Sequence, residues 1–74
     1  MSPEKMIHMA NQIATFMATQ AGDDDNAGVG GVAYHLRRFW EPQMRAQLLA
    51  YLDAGGAGLN PLVIAAAQRL RAMD

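Results

Sequence analysis

A chain of 74 residues with a formal net charge of -1, 51% hydrophobic residues and no cysteine has room for one domain. That composition excludes disulfides, cysteine-bound zinc and thiol catalysis, is too apolar for a disordered chain, and lacks the strong basic balance of a nucleic-acid binder. Two histidines are too few for a histidine metal cage, and the longest apolar run, Leu62 to Ala67, is far below the roughly 20 residues that span a membrane.

The first residues, Met1-Ser2-Pro3-Glu4-Lys5, have no long apolar core behind them, so no signal peptide is expected and a cytoplasmic location is the default. They read instead as a helix start: a Ser N-cap, a proline at the first helical position and an acid in the first turn. Met6, Met9, Ala10, Ile13, Phe16 and Met17 then recur at helical spacing, with Lys5, His8, Gln12, Thr15 and Thr19 opposite. A helix is expected over about 3–20. Gly22, three aspartates, Asn26 and Gly28 to Gly31 predict a flexible loop over about 21–31. Val29, Val32, Ala33, Leu36, Phe39 and Trp40 predict a second helix over about 28–39, capped by Asp25 or Asn26, with Phe39 mostly in the core.

Pro42 ends that helix, because the residue before a proline avoids the α region, and can open a third over about 42–54. Met44, Leu48, Tyr51 and Leu52 share its inner face, and Gly55-Gly56 stops it. Asn60-Pro61 repeats the cap-then-proline device for a fourth helix over 61–73, with Leu62, Val63, Ala66, Ala67, Leu70 and Met73 inward and Ile64 outward beside Gln68 and Arg71. Nothing alternates as a strand does. The fold class is all-α: four short helices in one domain over 1–74. A domain this small buries only about 60% of its unfolded surface. Close helix packing, self-association or a larger partner must supply what disulfides and metals cannot.

Little in the chain suggests chemistry. Asp23-Asp24-Asp25 with Gly28 resembles part of a calcium loop, but Ala27 and Tyr34 stand where two ligands are required, so a solvated helix cap is favoured. Gly28-Val29-Gly30-Gly31-Val32-Ala33 fits G-x-G-x-x-A, which binds a pyrophosphate only between a strand and a helix; here a helix precedes it, and the glycines read as a flexible helix entry. His35 has no orienting partner or nucleophile at local spacing, and no catalytic, cofactor-binding or metal-binding residue is expected. Arg37, Arg38 and Arg45 interleave with Tyr34, Phe39 and Trp40. That mix suits a protein interface hot spot, or, as the alternative function, a small helical nucleic-acid-binding module using those three arginines.

Met9-Ala10-Asn11-Gln12-Ile13-Ala14 with Phe16, then Val32 to Arg45 read as V-A-x-H-L-x-x-F-W-x-P-x-M-R, then Gly55-Gly56-Ala57-Gly58-Leu59-Asn60-Pro61, occur in order. Together they resemble the delta subunit family of cytoplasmic NAD-dependent formate dehydrogenases over nearly the whole chain. Glu41 stands where Asp is expected in that family. The resemblance implies a non-catalytic accessory subunit that supports assembly, cofactor insertion or stability of the catalytic subunit. Its partners would be the catalytic and diaphorase subunits, which carry bis-molybdopterin guanine dinucleotide, iron–sulfur clusters and FMN; no cofactor, nucleic acid or membrane is implied for this chain. His35, Arg38, Trp40, Pro42, Met44 and Arg45 carry over as partner-binding positions. Whether the isolated chain self-associates stays open.

Overall fold

The computed structural model describes residues 1–73 and folds them into α1 (Pro3–Ala21), α2 (Asp25–Phe39), α3 (Pro42–Asp53) and α4 (Pro61–Met73), with no strand among the described residues. The all-α reading therefore holds, and the punctuation that predicted it acts through specific bonds. Ser2 Oγ accepts from the Lys5 amide at 3.2 Å, and Gly22 ends α1 at φ +62° with its N–H donating to Ala18 O. Asn60 Oδ1 accepts from the Leu62 amide at 2.9 Å ahead of α4. Gly55 and Gly56 both take positive φ behind α3, a conformation only glycine adopts without strain.

The second helix departs from expectation. It starts at Asp25, so the loop expected over 21–31 shrinks to Gly22–Asp24. Its cap is Asp24, whose Oδ1 accepts from the Ala27 amide at 3.1 Å, and not Asp25 or Asn26. The low helix propensity of three glycines, Gly28, Gly30 and Gly31, is overridden by packing. A Cβ on Gly31 would lie 2.8 Å from Met17 Sδ, and one on Gly28, which is buried, would lie 3.5 Å from Leu62 Cδ1. These glycines are the points where α1 and α4 approach α2, not a flexible entry.

Helix α2 is the centre of the fold, packed chiefly against α1 and α4, with α3 held more lightly. The fully buried positions are Met6, Ala10 and Ala14 from α1, Val32 and Leu36 from α2, Leu48 from α3, and Val63, Ala66, Ala67 and Leu70 from α4. Alanine at four of these ten lets helices of such short length sit close. Trp40 is 5% exposed and closes the core at the α2–α3 corner. Phe39, expected inside, is 64% exposed; Phe16 and Met73 are also outside, and Ile64, expected outside, is half-buried against the core.

Side chains tie the helices at their ends. Asn11 Nδ2 donates to Gly58 O at 2.9 Å while its Oδ1 accepts from the Asn60 amide at 2.8 Å, which pins the α3–α4 connection to α1. Tyr51 Oη donates to Ala57 O within that connection. Arg69 donates to Asn26 Oδ1 at 2.9 Å, joining α4 to the start of α2, and Arg71 pairs with Asp53 at 2.9 Å. No described helix is long and apolar enough to cross a membrane.

Candidate partner-binding face

The V-A-x-H-L-x-x-F-W-x-P-x-M-R segment spans the end of α2, the turn at Trp40–Glu41 and the first turn of α3. The structure divides its residues into two groups with different jobs. Trp40, Met44 and Arg45 build the corner. Trp40 follows Val32 and Leu36 at intervals of four, so all three fall on the inner stripe of α2. Met44 is half-buried against the same core. Arg45 reaches back from α3, and its Nη1 donates to Trp40 O and, at 3.2 Å, to Arg37 O. A helix leaves its last carbonyls without intrahelical partners and carries a partial negative charge there, so a guanidinium answers both needs. Trp40, expected to meet a partner, therefore serves the interior: a ring 95% removed from solvent by its own chain has no free face to offer.

His35, Arg38 and Pro42 lie on the outside or partly so. The His35 ring packs on Phe39 with centroids 4.9 Å apart and planes tilted by 42°, and Arg38 Cζ lies 6.0 Å from the Phe39 centroid. Tyr34, one turn earlier, is 63% exposed. Tyr34, Arg37 and Arg38 line one concavity of about 340 Å³. The outer surface of α2 thus groups two aromatics with two guanidiniums. Pro42 opens α3 beside the turn and is exposed. Tyr34 and Phe39 belong to the aromatic and arginine mix that suits an interface, but Phe39 was expected mostly in the core. The signal was available: Phe39 is four residues from His35, off the Val32–Leu36–Trp40 stripe.

Other candidate sites resolve into structure. Asp23 to Asp25 are exposed, Asp24 serves as the cap of α2, and no group of three or more metal-binding side chains forms among the described residues. The G-x-G-x-x-A segment lies inside α2, where Gly28 N already donates to Asp24 O, so its amides do not form a phosphate cradle. An open groove on the outer side of α1 is lined by His8, Asn11, Gln12, Thr15, Phe16 and Thr19. Asn11 there is committed to the α3–α4 connection, a role no spacing within the sequence announces.

The family model described as NADH-dependant formate dehydrogenase delta subunit FdsD matches residues 5–67. No curated protein and no solved structure matches the chain. The matched span runs from the first turn of α1 to the middle of α4 and includes the whole corner and both of its flanking helices. The chain belongs to the delta subunit family of NADH-dependent formate dehydrogenases.

Proposed function

We propose that this chain is a non-catalytic docking subunit of a cytoplasmic formate dehydrogenase, binding the catalytic subunit and supporting its assembly, cofactor insertion or stability. Other subunits then carry the bis-molybdopterin guanine dinucleotide, iron–sulfur clusters and FMN and perform the electron transfer from formate to NAD, with a diaphorase subunit completing the path.

The observation that carries this reading is the sorting of aromatic residues. Trp40 is inside, while Tyr34 and Phe39 stand on one outer surface of α2 at 63% and 64% exposure, beside Arg37 and Arg38. Covering one such side chain on a partner contributes about 1.5–3 kcal/mol of apolar transfer free energy. Tyr and Arg together are also the residue types enriched where interface energy concentrates. Family membership supplies the identity of the assembly, and the exposed surface supplies the means of joining it.

Deleting the gene tests the role. The proposal expects a lower yield of assembled formate dehydrogenase, or a lower molybdenum or tungsten content in its catalytic subunit, with restoration when the chain is supplied in trans. A deletion strain whose complex keeps its yield, metal content and formate-dependent NAD reduction would refute it.

A further inference from the structure

The arginine side chains of this protein fall into two sets. Arg45 is committed to the carbonyls that end α2, Arg69 to Asn26, and Arg71 to Asp53 and to Leu49 O. The side chains of Arg37 and Arg38 form no ion pair or hydrogen bond among the described residues, although they neighbour each other on the last turn of α2. Arg45, not Arg37 or Arg38, is the side chain that reaches carbonyls at this helix end, those of Arg37 and Trp40. Arg37 and Arg38 line one concavity with no counter-charge among the residues that line it, so an anion seated there is attracted by both. Arg37 and Arg38 share their concavity with Tyr34, whose hydroxyl adds a neutral donor. The side chains are partly pre-arranged: Arg38 lies toward the Phe39 ring, on which His35 also packs, so less freedom is lost when a ligand arrives.

We infer that the Tyr34–Arg37–Arg38 notch binds a carboxylate side chain, Asp or Glu, of another subunit of the formate dehydrogenase complex, with Phe39 covered by that subunit's apolar surface. This rests on the docking reading above. A carboxylate fits because guanidinium forks match its two oxygens. A nucleic-acid backbone needs a row of cations, whereas every other arginine here is tied down and the opposite end of the same helix carries Asp24 and Asp25.

The test titrates the chain onto formate dehydrogenase purified from a strain that lacks it. Wild-type binding should weaken as salt rises. The double variant R37A/R38A should bind about tenfold more weakly or worse and show a flatter salt dependence. R37K/R38K, which keeps charge but loses the fork, should fall between them. Phe16→Ala, on the outer side of α1, should bind as wild type does. Melting curves of all variants should match wild type, because each altered side chain is exposed. Wild-type-like binding by R37A/R38A overturns the notch alone. Competition for binding by a single-stranded oligonucleotide at about 50 mM salt, where phosphate contacts are favoured, overturns the carboxylate assignment. Failure of the wild-type chain to bind the complex overturns the docking reading and the notch together.

Discussion

Trp40 and Phe39 are adjacent in sequence and opposite in fate, and the difference has a measurable size. Removing a buried Trp side chain costs about 3–5 kcal/mol. A chain of this length holds about 7 kcal/mol in total at roughly 0.1 kcal/mol per residue. Trp40→Ala should therefore lower the melting temperature by tens of degrees or abolish the cooperative transition, whereas Phe39→Ala should stay within about 0.5 kcal/mol of wild type. Thermal melts followed by circular dichroism check both; equal effects would contradict the assignment of Trp40 to the core. The α2 glycines permit a finer comparison. Gly30→Ala gains about 1 kcal/mol of helix propensity and meets only the far end of the Arg69 side chain, at 3.4 Å, so it should stabilise. Gly31→Ala gains the same propensity, but its Cβ would meet Met17 Sδ at 2.8 Å, and overpacking costs about 1–3 kcal/mol. It should destabilise by about 1 kcal/mol, and the opposite order of the two melting temperatures would refute the close approach of α1 and α2.

The helices differ in how much of each was legible. The starts of α1, α3 and α4 were, because Ser2-Pro3, Pro42 and Asn60-Pro61 act locally and override little. The start of α2 was not. Glycine propensity argued for a loop, and the counterforce, Met17 and Leu62 packed into the space a Cβ would take, comes from other helices. Phe39 was misplaced because it lies three residues after Leu36, a spacing that serves a core stripe equally well. The turn at Trp40 decided which aromatic went inside. Arg45, expected at a partner from the family resemblance, donates to Arg37 O and Trp40 O, a contact that nothing in its sequence neighbourhood announces. Asn11 was missed because its partners, Gly58 and Asn60, are 47 and 49 positions away. Asn11→Ala removes both bonds and should cost about 1–3 kcal/mol, while Asn11→Asp keeps the acceptor for the Asn60 amide and should cost less. Equal melting temperatures for the two variants would argue against that bridge. Glu41 occupies the N-cap of α3 without a side-chain capping bond. Glu41→Asp should accordingly stabilise by about 0.5–1 kcal/mol, read as a higher denaturant midpoint at unchanged slope.

At the scale of the molecule, an accessible surface of 4512 Å² is close to the roughly 4,450 Å² that folded monomers of 8.0 kDa expose, and the 11.1 Å radius of gyration is close to the about 11.3 Å of self-contained domains of this length. The chain closes its own core. The shortage of size first suggested by 74 residues is met by alanines and glycines that bring four helices close. The isolated chain should give a strongly helical far-ultraviolet spectrum and one cooperative melt; a spectrum that becomes helical only on adding the other subunits would contradict a preformed docking surface. What the fold leaves outside, the aromatic and arginine surface of α2, is the part that a larger assembly would use. The most direct measurement is purification of the tagged chain from its native cell under low-salt conditions, with the recovered proteins identified by mass spectrometry. Co-recovery of the catalytic formate dehydrogenase subunit in a fixed ratio is the predicted result; recovery of the chain by itself, from cells with full formate dehydrogenase activity, would contradict it.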